Sequence, residues 1–147
     1  MKIKNKKILI FIILIFVVLN ISWFSITSIK YKRFTDAVPK NEHGVYALYK
    51  DGYSYGVKKP DYLHYTGNLS IVNNKTGYNL IIWPLLSGEY EYGLIIVDNE
   101  IGYEIYVDEN MKLIDNDDLF SAQLIEENEA AIEEIFSKAN EMWNLKN

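Results

Sequence analysis

His43 and His64 are the only imidazoles in this 147-residue chain, and it contains no cysteine. A cysteine nucleophile is therefore impossible, and a zinc site would need carboxylates to complete it. His64 lies in Tyr62-Leu63-His64-Tyr65-Thr66, where a strand would hold it by hydrogen bonds between its tyrosine neighbours. With carboxylates beside it, His64 could instead act as a general base, which would make the chain a small enzyme. The strand histidine is the simpler reading, because no HExxH, GxSxG, GxxxxGK[ST] or GxGxxG pattern accompanies it. The expectation is a chain with no catalytic residue, no metal, no cofactor and no small-molecule ligand.

Asp115, Asp117 and Glu126 occupy positions 1, 3 and 12 of a calcium-loop pattern, but Leu119 and Phe120 fall where that loop requires an oxygen ligand and a glycine. These acids read better as helix-start residues. Asp98, Asp108 and Glu109 likewise read as hairpin-turn acids rather than metal ligands.

Tyrosine is the abundant chemistry: twelve residues, eleven of them after position 33. A tyrosine offers large contact area, two soft torsions and a polar tip, so it suits both pleated surfaces and binding faces. Tyr46, Tyr49, Tyr53, Tyr55, Tyr62 and Tyr65 are dense enough to leave some exposed. Tyr53, Tyr55, Tyr62 and Tyr65 are therefore candidates for an aromatic partner-binding surface, against the simpler explanation of strand propensity.

These residues are positioned by a chain that begins with the basic tail 1–7 and an apolar stretch, residues 8–29. As a helix of 1.5 Å rise per residue that stretch reaches about 33 Å, enough for a hydrocarbon core of about 30 Å. Ile8 to Leu19 carry no polar side-chain atom, whereas Asn20, Ser22, Ser25, Thr27 and Ser28 soften the second half as in a signal-peptide c-region. Ser25 with Thr27, or Asn20 with Ser22, make poor cleavage signals, and no Ala-x-Ala occurs. An uncleaved signal anchor is thus preferred over a cleaved leader or a buried core helix. Trp23 and Phe24 suit its interfacial end. Four lysines and the amino terminus precede the stretch, against Lys30, Lys32 and Arg33 after it, so the expected orientation is N-terminus cytoplasmic with the remainder periplasmic or extracellular.

Beyond position 33 lie all twenty acids but only eight lysines, a formal charge of −12, while the first 33 residues carry +7. Residues 89–147 alone carry −13. Nucleic acid is excluded as a partner by this charge, and an anionic membrane surface would repel the domain. The acid serves either solubility or a basic protein partner.

Residues 30–44 read as a stalk, with Pro39 and Gly44 and no periodicity. Residues 45–147 read as one extracytoplasmic domain, held together without disulfides. Short apolar runs at 45–49, 53–57, 62–66, 69–72, 78–86, 90–98, 101–108 and 111–114 alternate with turn residues, including the hairpin signal Asp51-Gly52. Runs 78–86 and 90–98 read as a core hairpin buried in part on both faces; run 101–108 has one wet face, formed by Gly102, Glu104, Tyr106 and Asp108. Such short connections predict an antiparallel meander of six to eight strands. From Asn116 to Leu145 there is neither Pro nor Gly, and Leu119, Ala122, Ile125, Ile132, Phe136, Ala139 and Trp143 form a helical stripe. A C-terminal helix 116–145, capped by Asn116 or Asp117, would cover the sheet or bind a partner. The fold class is α+β: a transmembrane helix, then a β-meander domain with a helix packed on it.

Ser87-Gly88-Glu89-Tyr90, in the turn of the core hairpin, resembles the Ser-Gly-x-(x)-Tyr loop of periplasmic lysozyme inhibitors. The resemblance implies an exported β-rich domain whose loop Ser and Tyr enter a hydrolase cleft; the disulfides and downstream Lys-Gly of some members are missing here. The layout of basic tail, anchor and compact acidic domain resembles that of membrane-anchored bacterial immunity proteins. With the anchor and the acidic charge, these resemblances lead to the expectation of a membrane-tethered protein-binding module, an immunity protein or inhibitor of a cell-envelope toxin or hydrolase, steered to a basic protein partner by charge. An accessory subunit of an envelope assembly, using the anchor for helix contacts, is the rival outside enzymology.

Overall fold

The computed structural model describes residues 2–61, 64–98, 101–115 and 118–145. The chain divides into two compact units, Met1–Lys32 and Arg33–Asn147.

The first unit is helical, part of α1 (Lys2–Ala37). Every side chain from Ile8 to Leu19 is exposed, and the helix is long and apolar enough to cross a membrane. The polar residues of its second half do not contradict this. The Asn20 amide donates to the Phe16 carbonyl at 2.7 Å and the Thr27 hydroxyl to that of Trp23 at 2.9 Å, so these groups are satisfied within the helix itself.

In the second unit, helix continues through Ala37. Residues 30–37, expected within a stalk, are therefore helical, and Phe34 and Val38 have no solvent exposure at all. The residues that follow are also tied down. The Asn41 carboxamide oxygen accepts from the N–H groups of His43 and Val45, and the Ala47 N–H donates to the Pro39 carbonyl.

Among the described residues six strands follow: β1 (Tyr46–Lys50), β2 (Tyr53–Lys58), β3 (Asn68–Asn73), β4 (Asn79–Pro84), β5 (Tyr90–Asp98) and β6 (Ile101–Val107). They form one antiparallel meander in sequence order. The Asp51-Gly52 turn holds both residues at positive φ, 52° and 85°, the geometry that matches the twist of a two-residue hairpin. Two expected runs form no strand over their described residues. His64–Thr66 is irregular because the Asp61 carboxylate accepts from the His64 backbone N–H at 2.7 Å and closes a local turn; Tyr62 and Leu63 lie outside the described residues. Residues 111–114 supply only a bridge from Leu113 to Val107, since Met111 sits at a φ of 64° that no strand allows.

The strand period of two divides the sheet into unlike faces. On the first, Tyr53, Tyr55, Val57, Leu69, Ile71, Leu80, Ile82, Tyr92, Leu94, Ile96, Ile105 and Val107 are buried. Two helices, α2 (Leu119–Glu127) and α3 (Glu129–Trp143), contribute Leu124, Ile132, Ile135, Ala139 and Trp143 to the same core. Ring contacts fix the packing: Trp143 meets Tyr55 edge-on at 5.8 Å, and Phe136 lies 5.3 Å from Tyr92.

The expected single helix is broken at Asn128. Its side-chain amide donates to the Leu124 carbonyl while its oxygen accepts from the Tyr78 hydroxyl at 2.6 Å, so a side chain replaces part of the helical ladder. The break rotates α2 out of the predicted stripe, leaving Leu119 and Ala122 exposed and Ser121 and Leu124 buried. The cap is Asp118, which accepts from the Ser121 N–H at 3.1 Å; Asn116 and Asp117 lie outside the described residues.

Candidate functional site

The second face of the sheet carries the residues that alternate with the core. Cross-strand partners place Ala47, Gly56, Ser70, Ile81, Gly93 and Tyr106 in one row and Tyr49, Ser54, Val72, Asn79, Ile95 and Glu104 in the next. Strands β4 and β5 are thus buried on one face only: Ile81, Trp83, Ile95 and Val97 are half-buried, and Tyr106 is 52% exposed.

Trp83 organises this surface. Its ring stacks on Tyr106 with centroids 6.1 Å apart and planes 26° from parallel, lying across the backbone of Gly93. The stacked position of the indole depends on the glycine, because a Cβ at position 93 would stand 2.9 Å from two of its atoms and displace the ring. The stack caps an otherwise open strand pair with an aromatic platform, the device that compensates for a glycine within a sheet.

Carboxylates frame the platform. Glu91 pairs across the ladder with Trp83, and Glu104 accepts from the Tyr106 hydroxyl at 3.0 Å. That hydrogen bond and the charges of Glu104 and Glu91, together with partial burial, raise the Tyr106 pKa above its ordinary value. A recess of about 510 Å³ continues past Glu91, Glu104 and Tyr106 to Leu113, Asp115 and Asp118. Among the described residues its rim carries four carboxylates and no cationic side chain.

The residues singled out from sequence are scattered by comparison. Tyr53 and Tyr55, expected on a binding surface, are 4% exposed and belong to the core, since both point to the helix-covered face. Burial and the neighbouring Glu134 carboxylate push the Tyr53 hydroxyl up to about 12. Tyr65 is exposed, and Tyr62 lies outside the described residues.

In the Ser87-Gly88-Glu89-Tyr90 loop, the Ser87 hydroxyl donates to the Glu89 carboxylate at 3.0 Å, and Gly88 takes a φ of 98°. Ser87, Gly88 and Glu89 are exposed. Tyr90 is half-buried, and its hydroxyl accepts from the Arg33 guanidinium, which also lies 5.9 Å from its ring. The Ser and Tyr of the loop are thus engaged with separate partners. Behind Tyr90 a cleft of about 350 Å³ runs between Tyr92, Phe136 and Leu145, with Glu109, Asn110 and Asn140 at its polar end.

His64 lies in an exposed loop, not on a strand, with its Nδ1 3.1 Å from the Asp61 carboxylate. His43 is exposed beside Glu42. Among the described residues no three His, Asp or Glu side chains converge to hold a metal ion. Asp108 is a turn acid: burial pulls its pKa up, but N–H groups of Lys112 and Asn110, each 2.8 Å away, outweigh this and hold it below the usual range.

The alternation of 101–108 already placed Glu104 and Tyr106 on a wet face. Trp83 was missed because it sits inside an apolar run that reads as buried on both sides. Comparison with family models, with curated proteins and with solved structures finds no match to this chain.

Proposed function

We propose that this chain is a membrane-tethered, extracytoplasmic protein-binding module, best read as an inhibitor or immunity factor against a cell-envelope toxin or hydrolase. Residues 8–29 serve as an uncleaved anchor, with residues 1–7 cytoplasmic and the β domain on the far side. The observation that carries the reading is the unequal treatment of the two sheet faces. One is sealed by α2 and α3, while the other presents a stacked Trp83–Tyr106 pair and half-buried aliphatic side chains. A partly exposed aromatic pair beside half-buried aliphatic side chains is surface that an interaction site can use. A stoichiometric binder needs such a surface and no catalytic constellation.

The test is affinity capture from an envelope extract, using the full chain in a mild non-ionic detergent at low and high salt. A stoichiometric protein partner, retained by the wild type and lost from a Trp83→Ala/Tyr106→Ala variant, is the expected result. Retention equal in both proteins would overturn the assignment of the face. Exchanging residues 1–32 for a cleavable signal should leave binding intact; loss of binding on that exchange would favour an accessory subunit that works through its membrane helix.

A further inference from the structure

The open face is not neutral, and its charge selects among occupants. Its centre is apolar and aromatic, at Ile81, Trp83, Ile95 and Tyr106, whereas the margin along β5 and β6 carries the exposed acids Glu91 and Glu104. Among the described residues the Glu91 carboxylate has neither a hydrogen bond nor an ion pair, so its charge is available to a ligand. A second copy of the chain would set these acids against their own kind, in a domain whose residues 34–147 already carry a formal −12. A neutral apolar partner would gain nothing from the acidic margin and would have to desolvate it. A cationic segment matches both parts: guanidinium or ammonium groups pair with the carboxylates and stack on the indole and phenol faces, while their aliphatic stems cover the apolar centre.

We propose that the Trp83–Tyr106 face docks an arginine- or lysine-bearing polypeptide segment, with cationic side chains held between the aromatic platform and the Glu91 and Glu104 carboxylates. This rests on the protein-binding reading above and names the chemistry of the partner at that same face.

The test uses the full chain, ¹⁵N-labelled at the tryptophan indoles, in neutral detergent micelles. The probes are an acetylated, amidated (Gly-Arg)₅ peptide and its citrulline counterpart, which keeps the shape and removes the charge. Trp83 is assigned by the signal that disappears in Trp83→Phe. The arginine peptide should shift the Trp83 indole signal and leave that of buried Trp143 unmoved. Glu91→Gln/Glu104→Gln, on the exposed rim, should weaken the apparent affinity at least tenfold with the Trp143 signal unchanged, and raising salt should weaken the wild type similarly. A Trp83 signal that ignores the arginine peptide, or that responds equally to citrulline, overturns the inference. Failure of the two proposals is separable: a protein captured at Trp83 whose retention is unchanged by Glu91→Gln/Glu104→Gln sinks the basic-segment inference and leaves the binding reading standing, whereas an arginine peptide bound at Trp83 with no protein capture does the reverse.

Discussion

Phe34 lies in a stretch whose composition reads as a tether, yet its side chain is completely buried within the second unit. Replacing it with alanine removes a phenyl ring and leaves a hole that a packed core fills only in part, at a cost of about 3–5 kcal/mol. The Arg33 guanidinium, 4.6 Å from the ring centroid, loses its stacking surface as well. A domain of this size has a total stability of about 5–15 kcal/mol, so Phe34→Ala consumes about a fifth of it or more. At roughly 4 °C per kcal/mol the midpoint should fall by roughly 12–20 °C. The assay is denaturation of the full chain in non-ionic micelles followed by fluorescence of Trp143, which is 4% exposed in the native core. Leu86→Ala, at a side chain 64% exposed, serves as the control and should stay within about 0.5 kcal/mol of wild type. A cost below about 1 kcal/mol for Phe34→Ala would refute the reasoning and return residues 33–38 to the role of a dispensable tether. The same logic makes a fragment beginning at Val45 less stable than one beginning at Arg33, because it lacks both Phe34 and Val38.

Gly93→Ala should drive the Trp83 ring off the sheet and unstack it from Tyr106, yet change stability by less than about 1 kcal/mol, since relief of a strand glycine offsets the lost ring contact. Near-UV circular dichroism should register the change, and an unaltered aromatic band would contradict it. Asp118→Ala removes the cap of α2 and should speed amide exchange at Ser121 and Ala122; hydrogen bonds from Ser121 hold the Asp118 carboxyl below its usual range. This cap contribution is present above about pH 4 and disappears as pH falls through the depressed value, so wild-type exchange at those amides should approach that of the variant in acid. Tyr53 acts at the other extreme: its pKa, raised to about 12, keeps the folded state neutral while the unfolded chain ionises near pH 10. Its contribution is fully present below pH 10 and falls as pH rises toward 12, so Tyr53→Phe should make the alkaline loss of stability shallower; an identical alkaline slope would contradict the assignment.

Much of the fold was legible because local rules and global packing agree. Asp51-Gly52 accepts the positive φ values that its hairpin demands, and the short turns leave an antiparallel meander as the available topology. Where the sequence misled, a side chain competes with the backbone or a distant surface decides burial. Asn128 takes the Leu124 carbonyl and the Tyr78 hydroxyl at once, and no periodicity in 116–145 announces that break. Tyr53 and Tyr55 look like surface aromatics until α3 is laid over them. Phe34 falls among polar residues, and only the tertiary structure shows its burial. The face carrying Trp83 was half legible: Glu104 and Tyr106 alternate as wet residues, but Trp83 needed the register of β4 against β5 to reach them.

The most direct measurement is site-specific photo-crosslinking of the full chain in intact cells, with benzoylphenylalanine at position 106 on the open sheet face or at position 133 on the exposed side of α3. The open face as docking surface predicts a discrete protein adduct from position 106 and none from 133. An adduct from 133 with none from 106 would place the partner on the helices and contradict the account.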